Sequence, residues 1–342
     1  MCAMSVTPPT PHTHTHLPHA GWSGCSGECR PRLCMLINSE AITVFNVTFE
    51  GSADWTFHLL NCSHVHVANW TQRGDERFAN NDGIDIDSSS HVLVEHCDID
   101  TADDGVCIKG SAVGGFSTNV TVRASRIRSR SSAVKYGSNC PIPFTNHVFE
   151  DLYIHDSNRG LAIQARDGGL ISDVIFRNIV INGTRWWPVK WWGDGGPLYI
   201  SSMLRDPTDT GTVVQNVLFE DITAVSENAA VFSGAAPGKA LRNITLRRVS
   251  LAIQKVGNYS VSKISGPSIE YDPHLPGVPS RRNMTGWMPG VFAEGVEGLL
   301  LANVSVAIDA GAFWAGAECV NTTAAGAPVT VVGGSCSNPR HA

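Results

Sequence analysis

The stretch HVLVEHC, running from His91 to Cys97, decides the fold because the chain repeats it. Phrases of the same form start at Ala41 (AITVFNV), His64 (HVHVANW), Asn119 (NVTVRAS), Asn146 (NHVFEDL), Asp173 (DVIFRNI), Asn216 (NVLFEDI), Asn243 (NITLRRV) and Gly298 (GLLLANV). Most copies are apolar at the second, fourth and seventh positions. The second and fourth share one face of a strand, as a side-chain period of two requires. The third and fifth are mostly Thr, Arg, Glu or His, which suits a solvent face. Successive starts lie 23, 27, 28, 27, 27, 43, 27 and 55 residues apart. Strands at that interval, with Gly, Asn, Asp and Ser between them, describe a β-solenoid, and the two longest gaps read as inserted loops. A sandwich would place strands every 8–12 residues or so. Further strands at Gly105–Lys109, Ser132–Tyr136 and Gly160–Ala165 give two or three per coil, and no helical stripe is sustained anywhere.

Two aspartate clusters interrupt this pattern. Asp82 lies in Asn80-Asn81-Asp82-Gly83-Ile84-Asp85, and Asp103-Asp104 follow 21 residues later in Ala102-Asp103-Asp104-Gly105. Residues about one coil apart stack side by side in a solenoid. Carboxylates gathered in one cleft are the equipment of glycoside hydrolysis, in which one acid protonates the leaving oxygen and another activates water. Any single Asp here reads equally as a turn former or as part of a Ca²⁺ site. Because Asp103 and Asp104 are adjacent, both reach one groove only if the backbone bends between them and the next strand.

At these residues the chain resembles glycoside hydrolase family 28, the polygalacturonase and rhamnogalacturonan hydrolase family. The likeness runs from about Arg30 to the C-terminus. RPRLCMLINSEAITVFNVTFEGSADWTFHLLNC resembles the family's lead-in, NNDGIDID its Asn-Thr-Asp-Gly-Ile-Asp motif, and ADDGVCIKG its Gly-Asp-Asp motif. The resemblance implies an all-β, single-stranded right-handed parallel β-helix and hydrolysis with inversion at the anomeric centre. It implies Asp103 as general acid, with Asp82 and Asp104 holding and deprotonating the attacking water. Two family motifs are altered. Where the family has Gly-His-Gly, this chain reads SSAVKYGS from Ser131, so Ser132 replaces the His and Lys135 is introduced. Where the family has Arg-Ile-Lys, it reads Ala162-Ile163-Gln164. A simple galacturonate substrate is thereby disfavoured, although Lys135, Arg159 or Arg166 could restore a positive charge with other geometry.

Other groups are candidates for contact with a sugar. Lys109 follows the second motif and reads either as a cleft cation or as a surface lysine. Trp186, Trp187, Trp191 and Trp192 form an aromatic group whose faces, above all those of Trp191 and Trp192, suit stacking on sugar rings or packing of an inserted loop. Arg205 is a further possible ligand, whereas His147 and His155 read as structural or exposed. A polysaccharide lyase on the same architecture, with Lys135 or Arg159 as base, and a non-catalytic carbohydrate-binding β-helix both remain open. Retention of all three aspartates speaks against the last.

Composition bounds the remaining classes. The chain has 342 residues, 33 Gly, 18 Pro and a net charge of −6. That charge gives no support to nucleic-acid or membrane partners, and no apolar run reaches the ~18 residues of a spanning helix. A polysaccharide substrate, a monomer, and neither cofactor nor metal are expected. Met1–Ala20 is rich in Pro, Thr and His and lacks a signal-peptide core. Residues 1–29 therefore read as a disordered or mis-started segment, with the signal peptide and early coils missing, and residues 30–342 as the β-helix domain. The His tract could bind metal weakly, and Cys25 with Cys29 could be forced into a zinc site that no second pair supports. Of ten cysteines, Cys319 and Cys336 look like a terminal disulfide, and Cys62 and Cys97 like buried thiols. Ten Asn-x-Ser/Thr sequons, at Asn46, Asn61, Asn69, Asn119, Asn182, Asn243, Asn258, Asn283, Asn303 and Asn321, join the disulfide in pointing to secretion, although Asn and Thr in the phrase also serve turn and strand.

Overall fold

The chain winds as a right-handed parallel β-helix, seen in a computed structural model. It describes residues 30–337 apart from 113, 188–194, 205–210, 235–240, 259–267, 271–280, 284–288, 310–317 and 325–328. The N-terminal tract, Trp191, Trp192 and Arg205 therefore lie outside the described residues, as do Cys25 and Cys29. No helix occurs among the described residues. A ten-stranded and a fifteen-stranded sheet carry the coils. Every ladder in them is parallel, and Val120 pairs with Val92 in register. The antiparallel pair Ser268–Glu270 with Arg281–Asn283 lies within the longest gap between phrases and is consistent with an inserted loop.

The recurring phrase forms the fifteen-stranded sheet, and its backbone explains its composition. The first residue of all nine copies, from Ala41 to Gly298, has φ between +52° and +75°. The sixth residue, from Asn46 to Asn303, does the same at +48° to +55°. Left-handed backbone is tolerated best by Gly, Asn, Asp and His, so these types crowd the two corners. Between the corners the second and fourth side chains point inward, and the seventh turns back into the core. Thus Val92, Val94 and Cys97 are buried, as are Val174, Phe176 and Ile179. Phe149, Phe176 and Phe219 stack coil on coil at 5.0 Å. His147 takes an inward second position. Tyr136 Oη lies 2.8 Å from its Nδ1, and burial pushes its pKa down to about 3, so it is a neutral structural group.

The outward fifth positions read Glu95, Arg123, Glu150, Arg177, Glu220, Arg247 in register. The alternation yields an ion pair every second step, Arg123–Glu95 at 2.7 Å, Arg177–Glu150 at 2.5 Å and Arg247–Glu220 at 2.5 Å. The alternation thus sets unlike charges next to each other at every step of the column.

The cysteines divide as expected. Cys319 and Cys336 are joined, with Cα atoms 5.9 Å apart, while Cys62 and Cys97 are buried free thiols. Among the sequon residues, Asn321 is 8% exposed and its Nδ2 donates to Glu318 Oε2 at 2.9 Å.

Candidate active site

The ten-stranded sheet holds the carboxylates at the corner that precedes its strands. Thr101 ends one strand and Val106 begins the next, with a bend at residues 102–105 that lets Asp103 and Asp104 face the same way. Asp82 occupies the same corner one coil earlier, before the strand Ile84–Asp87. Two glycines let the corners stack this closely. A Cβ on Gly83 would lie 2.3 Å from Gly105 O, and one on Gly105 would lie 2.6 Å from Ala133 O. Asn81 ties the corners together. Its Oδ1 accepts from the backbone N–H of Ala102 and Asp103 at 3.0 and 3.2 Å, and its Nδ2 donates to Asp75 O at 2.9 Å.

Five of the sequence candidates meet here. Asp82, Asp103 and Asp104 are joined by Lys109 and Lys135. Lys109 Nζ is 3.3 Å from Asp82 Oδ2 and 3.1 Å from Asp85 Oδ1, and it lies 3.7 Å from the centre of the Trp55 ring. Lys135 Nζ is 2.7 Å from Asp104 Oδ2. Asp104 Oδ1 accepts from Ser131 Oγ at 2.7 Å and from the Ser132 N–H at 3.2 Å. Lys135 is thus paired with a carboxylate of the protein. Asp103 accepts the N–H of Asn80 at 2.9 Å and that of Asp104 at 2.9 Å.

Three residues were missed as site members. Asp85, Cys107 and Trp55 all face the cluster, and Asp82, Asp104 and Cys107 bring an oxygen or sulfur within 4.8 Å of one another. The register places Asp85, Cys107 and Lys135 in one outward column, with His58 before them and Ala162 and Tyr199 after. The signal was present, because strict alternation along Ile84-Asp85-Ile86-Asp87 aims Asp85 outward. Alternation alone reads as exposure, however, and here every residue from Asn81 to Ser90 is buried. The three aspartates converge but keep only 2–4% of their surface in contact with solvent.

Burial sets the electrostatics. It raises Asp103 to about 7, helped by the charges of Asp82 and Asp104. It raises Asp85 to about 6 against the pull of Lys109. Burial also lifts Asp82 well above the carboxylate range, with Lys109 opposing and Asp85 and Asp104 adding. Burial alone would lift Asp104 as well, but Lys135, Lys109 and the Ser131 hydroxyl carry it below its ordinary value. Carboxylates separated this far in proton affinity can divide acid and base duties.

The other candidates are placed differently. Arg159 stands one coil beyond Ser132 in register, 4.5 Å over the Tyr199 ring, and is 2% exposed. Arg166 is buried past the opposite end of that strand. Ala162 and Tyr199 join Met203, Ala229, Val231 and Phe292 in an apolar cluster outside the main core. Trp187 is buried among the guanidinium groups of Arg130 and Arg185, at 4.5 and 3.5 Å, so it packs a loop.

Residues 19–265 match the family described as Glycosyl hydrolases family 28. The chain belongs to this family. Within reach of the match, a polygalacturonase of Saccharomyces cerevisiae is 23% identical over 252 residues, 71% of this chain and 63% of that protein. A probable polygalacturonase of Vitis vinifera is 24% identical over 231 residues, 65% of this chain and 46% of that protein. The chain thus spans about half to two thirds of the length of these relatives. A hyperthermoactive exopolygalacturonase from Thermotoga maritima superposes with a TM-score of 0.58 at 22% identity, over 66% of this chain and 50% of that one. That likeness carries the β-helix of the family 28 fold.

Proposed function

We propose that this family 28 chain hydrolyses O-glycosidic bonds of a pectin-like or related cell-wall polysaccharide, with inversion. The carrying observation is the split among stacked carboxylates, with Asp103 raised to about 7 and Asp104 held low. Asp103 then keeps a proton to give the leaving oxygen. Asp82 and Asp104 hold the attacking water and take its proton as the water oxygen bonds the anomeric carbon. Lys109, Arg159 and Arg166 are the cations assigned here to sugar oxygens, and Trp191 and Trp192 the stacking faces. The disulfide at Cys319 supports an extracellular setting.

Plain polygalacturonate is expected to be a poor substrate. Ser132, Ala162 and Gln164 bring no charge, and both site lysines are held by protein carboxylates. Each missing charge-assisted contact weakens binding by roughly 1.5–3 kcal/mol, about ten- to a hundredfold. The test compares the parent with Asp103→Asn on polygalacturonate, rhamnogalacturonan and neutral galactans, following reducing ends and ultraviolet absorbance. Hydrolysis that falls by about 10²–10⁴-fold in the variant is expected. Release of unsaturated, ultraviolet-absorbing products would establish a lyase instead. Polygalacturonate as clearly the best substrate would overturn the specificity.

A further inference from the structure

Three carboxylates face this site, yet their oxygens are engaged unequally. Asp104 has none to spare. Oδ1 accepts from Ser131 Oγ and the Ser132 N–H, and Oδ2 accepts from Lys135 Nζ at 2.7 Å, with the Cys107 thiol at 3.8 Å. Asp82 is different. Its Oδ2 shares Lys109, while its Oδ1 is buried and meets no hydrogen-bond donor. A carboxylate whose lone pairs are all occupied by donors is a weak proton acceptor, and one with a bare oxygen turned into the site is a better one.

We propose that Lys135 is a positioning residue that pins Asp104 as a permanent carboxylate, so that the proton of the attacking water passes to Asp82. The inference rests on the hydrolytic reading above and divides a duty which that reading left shared. The step runs in the form of the site in which Asp103 is protonated and Asp82 ionised: water oxygen bonds the anomeric carbon and one of its protons moves to Asp82 Oδ1. The bond from that carbon to the leaving oxygen breaks, and the Asp103 proton goes to that oxygen. Asp104, held by Ser131, Ser132 and Lys135, changes charge at no point. Its fixed negative charge also helps Asp103 to keep its proton until the bond breaks.

The charges that face Asp104 are Asp82, Asp85, Asp103, Lys109 and Lys135, with Cys107 as a neutral thiol whose pKa burial pushes up. Lys135 is the closest cation. It comes from Ser132–Gly137, a neighbouring coil, at a position in register with Cys107. Its own burial opposes its charge, but Asp104 and the other acids hold it protonated. Removing it leaves the cluster with one positive charge fewer, so every carboxyl there binds its proton more tightly.

Lys135→Met and Lys135→Arg, made in the full chain, test this through the pH dependence of kcat/KM on rhamnogalacturonan and polygalacturonate. For Lys135→Met both limbs should move to higher pH by about one unit or more, because an opposite charge at this distance shifts a carboxyl by roughly 1–3 units. Lys135→Arg should restore the parental limbs. Limbs that stay in place in Lys135→Met, whatever its rate, overturn the proposal. If Lys135→Met does not fold, Ser131→Ala removes a donor from the same carboxylate and should raise the Asp104 titration by a smaller step; an unmoved Asp104 there overturns it too. A readout free of turnover is the ¹³C titration of the Asp104 carboxyl, which should rise in whichever variant folds. A parent inactive on both polymers would sink the hydrolytic reading, while the Asp104 titration would still decide what Lys135 does.

Discussion

Two outward columns climb this solenoid, one on each large sheet, and the same rule builds both: a residue of each coil stands over its counterpart in the coil before. On the fifteen-stranded sheet the column is Glu95, Arg123, Glu150, Arg177, Glu220 and Arg247, strung in water. On the ten-stranded sheet it is His58, Asp85, Cys107, Lys135, Ala162 and Tyr199, all buried. Side chains there lose the alternation of burial that the phrase strands keep. Ser90–Glu95 alternates between buried and more open positions, whereas Ile84–Asp87 is buried throughout. Hydrogen bonds to Arg123 and His66 lower the Glu95 pKa, while burial raises Asp85 to about 6. Stacking gives proximity in both places, and burial raises a carboxyl's proton affinity in only one.

The largest effect expected from breaking this contrast lies in the shared core. Phe176→Ala empties the middle of the stack between Phe149 and Phe219. It should cost about 3–5 kcal/mol in urea unfolding. A loss under about 1 kcal/mol would mean the coils do not depend on that ladder.

Next comes the corner that brings the carboxylates together. Gly105→Ala puts a methyl against the Ala133 carbonyl, at 2.6 Å before relaxation. It should cost about 1–3 kcal/mol by overpacking. Activity should fall further than stability explains at a temperature where the variant is fully folded, because the corner carrying Asp103 and Asp104 must shift. Unchanged turnover would show that the close stacking of the corners is not required.

The smallest effect belongs to the exposed column. Glu95→Gln removes one rung partner of Arg123 in water, and the thermal midpoint should stay within the scatter of the parent. A clear drop would show that the charge ladder contributes to stability.

Much of this was legible in the text of the chain. The period of two inside each phrase named the inward residues, and the spacing of about 27 residues named the stacking. The first-position corner, rich in Asn, Asp and His, was legible only as a turn and not as left-handed backbone. The second corner was harder to read, because Ala124 and Arg248 also adopt positive φ there and neither is a turn former. Asp82, Asp103 and Asp104 were readable as a set, since a carboxylate cluster recurring at about one coil length is rare in a turn-rich chain. Lys135 was visible as a departure but was assigned to the substrate. Its contact with Asp104 spans 31 residues and follows only from register, which sets Lys135 over Cys107. Burial of the outward face could not be read at all, because alternation describes a strand and not what lies above it.

The central claim is that burial, opposed at Asp104 by Lys135, Lys109 and the Ser131 hydroxyl, leaves neighbouring aspartates far apart in proton affinity. Site-resolved ¹³C NMR of the aspartate carboxyls in the parent tests it directly. Asp103 should titrate with a midpoint near 7, and Asp104 should stay ionised to below the ordinary aspartate range. If Asp103 instead titrates like a surface aspartate, at about 4, or Asp104 titrates above Asp103, the division of acid and base at this corner is contradicted.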